Sequence, residues 1–156
     1  MVKIAEIVND ITENVVFDKY DLNIDYLSTA YGILIHYNDV TSLYMKKRNK
    51  DIISIKKDTK INMWKSFTHE LGHMYLHYTN QRCSHPMFNE KQEAEAETFS
   101  LLMRMPERII VDNKLWTVYQ VMQYFNVSYE DAYLRMELLA NRTKTNRLVG
   151  INSYSN

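Results

Sequence analysis

The segment His69-Glu70-Leu71-Gly72-His73 combines residue types that can bind a metal ion and activate water. Residues four positions apart lie one turn apart on the same face of an α-helix, so both imidazoles can reach a single ion at roughly 2.0–2.1 Å. Glu70 projects about 100° round the helix from His69, where a carboxylate can take a proton from a water held by the metal. The motif predicts a hydrolytic zinc site with two histidine ligands and Glu70 as the general base. The competing interpretation is a chance match within an ordinary buried helix.

A catalytic zinc ion needs a third protein ligand and an open position for water. Glu93 and Glu97 are four residues apart and therefore stacked on one helix face, and Ala94 and Ala96 beside them are small enough to let this helix approach the first closely. The spacing favours Glu93 as the ligand, with Glu97 orienting one of the two histidines through its second ring nitrogen. The other acidic residues of this helix are assigned to a solvated face: Glu90 and Glu95.

Three further donors are alternatives for the third ligand. His77 lies about 12 Å along a straight helix from His69, too far to share one ion, so it is assigned a packing or hydrogen-bonding role. Cys83 and His85 follow in a polar loop, where either side chain could bind the metal. A free cysteine is more often inert, so the interpretation keeps the carboxylate as ligand.

The residues that carry this chemistry need two helices to position them. Apolar residues at helical spacing predict a helix from about Asn62 to Tyr78, and Gly72 within it indicates that another backbone packs close by. A polar loop from Thr79 to Asn89 is predicted to lead into a second helix from Glu90 to Met103, stopped by Pro106.

Three β-rich runs precede the motif helix. They are Ile33 to Tyr37, Leu43 to Lys47 and Asp51 to Lys57, and their short polar connections favour an antiparallel meander. We therefore predict an α+β fold, a mostly helical zincin-like domain with a small three-stranded antiparallel sheet and an HExxH active-site helix. The metallopeptidase domain is predicted to span residues 1–110, a helical pair resembling a helix-turn-helix residues 111–140, and a flexible tail residues 141–156.

The composition excludes several classes of protein. The chain has 156 residues, 46% of them hydrophobic, and its 19 basic and 19 acidic residues give a net charge of zero, so no overall field attracts nucleic acid or a membrane surface. Cys83 is the single cysteine, which rules out an internal disulfide and fits a reducing compartment. No apolar run is long enough for a signal peptide or a membrane span, so a cytoplasmic location is predicted.

Three segments of the sequence resemble those of a known family. The sequence HELGHMYLH at 69–77, followed by EAEAETFS at 93–100 and LLMRMP at 101–106, is similar to the ImmA/IrrE metallopeptidases, gluzincin-type enzymes of bacteria, phages and mobile elements. The resemblance implies that Glu93 is the third metal ligand. Glu97 stands where the family usually has Asn or Asp, and Ser100 where alanine is usual.

The resemblance implies a function: zinc-dependent cleavage of a helix-turn-helix transcriptional repressor, encoded by a phage or mobile element, which relieves repression. An extended substrate peptide is predicted to pair with the outer strand near Asp51 to Lys57. Tyr78 and His85 are candidates to support the oxyanion. Two histidines and one carboxylate also suit iron or manganese.

Two other functions are weighed against this one. The protein could instead bind a repressor through its C-terminal helices and antagonise it without cutting, with a structural metal or none. A DNA-binding role for Val118 to Leu139 is disfavoured, because its second helix carries Glu130, Asp131 and Glu137 against Arg135 alone. No direct nucleic-acid or membrane partner is expected.

Overall fold

The computed structural model of the protein describes residues 2–77 and 86–144. The helices are α1 (Val2–Thr12), α2 (Ile24–Tyr31), α3 (Lys60–His77), α4 (Pro86–Arg104), α5 (Glu107–Asp112), α6 (Val118–Phe125) and α7 (Tyr129–Lys144), and the strands are β1 (Ile33–Asn38), β2 (Leu43–Lys47) and β3 (Lys50–Lys56). The predicted α+β class is confirmed, since the described chain is mostly helical with a small three-stranded sheet. No helix in these two ranges is long and apolar enough to cross a bilayer.

The described residues divide into two compact units. Residues 20–100 form one unit, which holds α2, the sheet, α3 and most of α4, and residues 2–19 with 101–144 form the other. The boundaries predicted at residues 110 and 140 stay predictions.

The sheet has the strand order β1–β3–β2, which makes β3 its central strand. β2 pairs with β3 antiparallel, whereas β1 pairs with β3 parallel, so the predicted antiparallel meander is wrong. The reason lies in β3, where Ile53, Ser54 and Ile55 are all buried. Such a strand hides more apolar surface between two neighbours than a meander edge would allow, and the two lysines of β2 suit an edge.

The β2–β3 hairpin closes through Arg48 and Asn49, whose φ angles of 51° and 63° match the type I′ turns that fit twisted hairpins. Because β3 has a hydrogen-bonded neighbour on each side, it is not the outer strand to which a substrate peptide was predicted to pair. The edge strands of the described sheet are β1 and β2, and β2 lies against α3.

The helices α3 and α4 approach each other closely at Gly72. A Cβ atom at this position would lie 3.1 Å from the Ala96 Cα and 3.1 Å from the Phe99 Cβ, tighter than ordinary contacts. The prediction that another backbone packs against Gly72 is therefore confirmed. Ala96 is fully buried at the contact, whereas Ala94 is exposed and does not contribute to the predicted close approach.

The helix α4 begins at Pro86 rather than at the predicted Glu90. Proline is tolerated in the first turn of a helix, because an N–H group there would have no partner within the helix. The predicted loop from Thr79 to Asn89 is therefore wrong over residues 86–89, and its residues 79–85 lie outside the described part of the chain. At its other end α4 stops at Arg104, just before Pro106, as predicted.

The second unit gathers buried charges as well as apolar residues. The guanidinium of the fully buried Arg135 donates from Nε to the Met105 carbonyl oxygen at 2.7 Å. Arg142 pairs with the buried carboxylate of Glu107. The apolar core around these groups is formed by Leu101, Met105, Ile110, Leu115, Val121, Ala132 and Leu139.

The predicted C-terminal helical pair is present as α6 and α7. α6 begins at Val118, because Thr117 caps it through a reciprocal pair of hydrogen bonds with Gln120. Asn126 ends α6 in the left-handed conformation, with φ 55°. The short helix α5 was not predicted. Residues 141–144 of the predicted tail belong to α7, and residues 145–156 lie outside the described part of the chain.

Candidate metal centre

The helix α3 presents His69 and His73 on one face, as their spacing predicts. Their ring centroids are 5.0 Å apart, and each side chain is 20% exposed. The apolar residues Phe67, Leu71 and Met74 of the same helix are buried, so the packed face of α3 leaves the two imidazoles accessible. This combination of a buried back and an accessible histidine face is what a ligand-binding helix requires.

The helix α4 supplies the carboxylate that completes a possible ligand set. Glu93 Oε1 lies 3.4 Å from His69 Nε2, and Glu93 Oε2 contacts His73 Nε2. One ligand atom from each of the three residues lies within 4.8 Å of the others. Two ligands bound tetrahedrally to zinc lie roughly 3.3 Å apart, because each bond is roughly 2.0–2.1 Å. The donor types and the spacing thus fit a single divalent ion.

Glu97 lies on the outer side of this group. The Nδ1 atom of His69 is 3.0 Å from Glu97 Oε2, so the predicted contact between Glu97 and one of the two motif histidines is present. This hydrogen bond, more than any other interaction, raises the pKa of His69 above its ordinary value, against the opposing effect of burial. The longer side chain at this position therefore still reaches the imidazole where Asn or Asp is usual.

Glu70 is partly buried and directly follows His69 on α3. Its negative charge contributes to raising the pKa of His69, after the larger effect of the hydrogen bond with Glu97. Glu70 is therefore the neighbour of a predicted ligand on α3, and its role as the base stays a prediction. A carboxylate beside a metal, rather than one that binds it, is what general-base chemistry requires.

A second series of hydrogen-bond contacts connects His73 to His77 and His77 to Glu95. The Nδ1 atoms of His73 and His77 are 3.0 Å apart, and His77 Nε2 is 3.0 Å from Glu95 Oε1. His77 is buried and lies outside the possible ligand group, in agreement with its predicted hydrogen-bonding role. Burial is the main cause that lowers the pKa of His73, so its imidazole favours the neutral, ligating form.

Glu95 is the residue of this site that sequence reasoning missed. It was assigned to a solvated face, whereas its side chain is 35% exposed and pairs with His77. Helical spacing separates Glu95 from Glu93 and Glu97, so no periodicity within α4 could connect it to the site. The only signal was the presence of a histidine one turn beyond His73 that needed a partner. The remaining candidates Tyr78, Cys83 and His85 lie outside the described residues.

Two histidines from one helix, the glutamate that follows the first, and a carboxylate from the next helix define the class of HExxH metallohydrolases. A family model described as Peptidase_M78, the IrrE N-terminal-like domain, matches residues 28–137. The match covers well over half of the sequence, and the chain belongs to this metallopeptidase family. The matched region runs beyond Pro106, where the motifs end, and includes α6 and most of α7.

The chain is also similar to a curated protein, the phage-like element PBSX protein XkdA of Bacillus subtilis (strain 168). The two are 27% identical over 128 residues, which is 77% of this chain and 65% of the relative. The chain therefore spans slightly less than two thirds of the length of the relative that it matches.

Proposed function

We propose that this protein is a zinc-dependent endopeptidase that cleaves a helix-turn-helix transcriptional repressor of a phage or mobile element. The observation that carries the proposal is the convergence of His69, His73 and Glu93 within 4.8 Å, with Glu70 next to the first ligand. The family is one of metallopeptidases, and the curated relative is named as a protein of a phage-like element, which supports the assignment to a mobile element.

The residues would divide the reaction among them. His69, His73 and Glu93 would hold the zinc ion, which would polarise the scissile carbonyl and make the attacking water easier to deprotonate. Glu70 takes the proton of the attacking water and transfers it to the leaving amine. The water oxygen remains on the new carboxyl group, and the C–N bond of the peptide breaks. Glu97 holds the His69 ring through Nδ1.

The sheet offers a place for an extended substrate. β2 is an edge strand of the described sheet and lies against α3, so a peptide that adds beside β2 would run close to the helix that carries both histidines. Main-chain hydrogen bonds would then supply binding, and side-chain pockets would supply sequence preference. β2 replaces β3 in this role because β3 is enclosed on both sides.

The direct test uses the purified protein with the repressor encoded beside its gene. Wild-type protein should produce repressor fragments detectable by mass spectrometry, and a zinc chelator should abolish them. Glu70→Gln should keep zinc and fold but lose cleavage by about 10²- to 10⁴-fold, the usual contribution of general acid–base catalysis. Glu90→Gln, an exposed glutamate of α4, is the matched control and should cleave like wild type. Equal cleavage by Glu70→Gln would exclude the general-base role.

The non-cleaving antagonist is retained as a second candidate because of the surface of the C-terminal helices. Tyr119 is 64% exposed and packs against Tyr129, which in turn stacks on Tyr133, so a row of aromatic rings faces solvent. Exposed tyrosines are common in protein interfaces. The single basic residue of Val118 to Leu139, Arg135, is buried, which argues against DNA binding there. In the same assay, a repressor that stays intact but no longer binds its operator DNA would favour this candidate.

A further inference from the structure

The two histidines of the candidate metal centre are held by different routes. His69 contacts a carboxylate directly, through Glu97, whereas His73 contacts a second histidine that contacts a carboxylate, Glu95. The first route follows from the spacing of the acidic helix. The second depends on two residues, His77 and Glu95, that the proposed reaction does not use.

The positions of the protons along the second route follow from elementary hydrogen-bond chemistry. An ionised carboxylate can only accept, so the contact between His77 Nε2 and Glu95 Oε1 at 3.0 Å places the proton on His77 Nε2. A neutral imidazole carries one proton, which leaves His77 Nδ1 as an acceptor. The 3.0 Å contact between the two Nδ1 atoms then requires His73 Nδ1 to donate. His73 Nε2 is then unprotonated and faces Glu93 Oε2. Two acceptor atoms repel each other unless a cation lies between them, so this pair of atoms is arranged to share a metal ion.

We propose that His77 and Glu95 are positioning residues of the metal centre: Glu95 orients His77, and His77 fixes the tautomer and ring orientation of His73 so that Nε2 is presented to the ion. The inference rests on the proposed metal centre and adds two residues to it. Ligand histidines generally donate their second N–H to a carboxylate or carbonyl group. In this protein the buried imidazole of His77 lies between the carboxylate of Glu95 and the imidazole of His73 in the series of hydrogen bonds.

Burial explains why an interposed histidine can serve this purpose. His77 is 9% exposed, so competing water is largely excluded from its ring, and a hydrogen bond in such surroundings is stronger than one at the surface. An imidazole also has a donor and an acceptor in one rigid plane, which transmits orientation from one neighbour to the next.

The first experiment measures the zinc dissociation constant by competition with a chromophoric chelator. Glu95→Leu and His77→Phe should each weaken zinc binding by about 10- to 100-fold, the usual effect of losing an outer hydrogen-bond partner. Glu95→Gln keeps an acceptor oxygen and should restore most of the affinity. Glu90→Leu places the same change at an exposed position of α4 and should bind like wild type. Circular dichroism of each variant checks that α3 and α4 still form.

The double variant His77→Phe/Glu95→Leu tests whether Glu95 affects zinc binding through His77 or independently of it. If Glu95 acts through His77, the double variant binds zinc no more weakly than His77→Phe alone, because residues of one network are not additive. The proposal would be overturned if the losses of zinc-binding free energy in the two single variants added in the double variant. It would also be overturned if Glu95→Leu bound zinc as tightly as Glu90→Leu.

The second readout is spectroscopic, and Glu95→Leu changes it only if Glu95 acts on His73 through His77. In zinc-loaded protein with ¹⁵N-labelled histidine, the Nδ1 proton of His73 should exchange slowly with water in wild type and rapidly in both Glu95→Leu and His77→Phe. Unchanged exchange would overturn the proposal. If wild type itself bound no zinc, the metal centre and this inference would both fail, whereas tight wild-type binding with unaffected variants would overturn the inference alone.

Discussion

The two compact units both collect charged residues, but they do so in opposite ways. In residues 20–100 the acidic partners of the histidines remain accessible, since the side chains of Glu93 and Glu97 are 60% and 56% exposed. In the other unit Glu107, Arg104 and Arg135 are at most 3% exposed, and each makes hydrogen bonds to its own unit. Buried charges that are hydrogen-bonded within their own unit help to fix its structure, whereas histidines and carboxylates that converge and stay accessible can be reached by a ligand. We therefore expect substitutions among the buried charges to change stability and substitutions among the accessible ones to change ligand binding.

The largest expected effect on stability comes from breaking the buried ion pair between Glu107 and Arg142. Glu107→Gln leaves the buried Arg142 without its carboxylate and should lower the free energy of unfolding by about 3–5 kcal/mol, as removal of one partner of a buried pair usually does. Urea denaturation of metal-free protein would measure it. A loss below about 1 kcal/mol, the level typical of surface pairs, would remove the contrast between the units.

The complementary change at the metal centre should have the opposite signature. Glu93→Gln replaces an anionic carboxylate by a neutral amide and should weaken zinc binding by more than about 100-fold, beyond the range for outer contacts. Since Glu93 is mostly exposed, the same change should alter the unfolding free energy of metal-free protein by no more than about 1 kcal/mol. Chelator competition measures the change in zinc affinity, and urea denaturation measures the change in the free energy of unfolding. A strongly destabilised variant would mean that Glu93 is a structural residue.

Gly72→Ala tests whether packing and chemistry are linked within residues 20–100. The added methyl group would lie 3.1 Å from backbone and side-chain atoms of α4, and relieving this contact should cost about 1–3 kcal/mol. The gain in helix propensity, about 1 kcal/mol, offsets only part of it. Because α4 carries Glu93, zinc affinity should fall as well. Thermal denaturation and zinc titration together measure the effect, and a variant as stable as wild type would show that the helices can separate freely.

The smallest expected effect is a shift in pH dependence. Histidine ligands must lose their proton to bind zinc, and the hydrogen bond from Glu97 raises the pKa of His69 above 6.5 in metal-free protein. Protons therefore compete for His69 at higher pH than for an ordinary histidine, and zinc affinity should decline as the pH falls through that raised pKa. Glu97→Gln should move the decline to lower pH. Zinc titrations between about pH 5 and about pH 8 would show the shift, and an unmoved profile would exclude Glu97 as its cause.

Local spacing was sufficient to predict the parts of the site that lie on one helix. The stacking of His69 on His73 and of Glu93 on Glu97 follows from the helical period, and Gly72 marked the helix contact correctly. The contact of Glu95 with His77 depends on how α3 and α4 cross, which no periodicity within either helix contains. The parallel pairing of β1 with β3 is likewise a long-range choice, decided by which strand is buried most completely. The burial of Arg135 was equally invisible, since arginine is usually exposed.

The missing methyl group at position 72 also has a consequence for ion selectivity. The imidazoles and the carboxylate stand on separate helices, so the distance between the helix axes sets the width of the gap that an ion must fill. Small tetrahedral cations require a narrow gap, whereas larger octahedral ions such as manganese accept a wider one. A side chain introduced at Gly72 would therefore act as a spacer that shifts the preference of the centre toward larger ions.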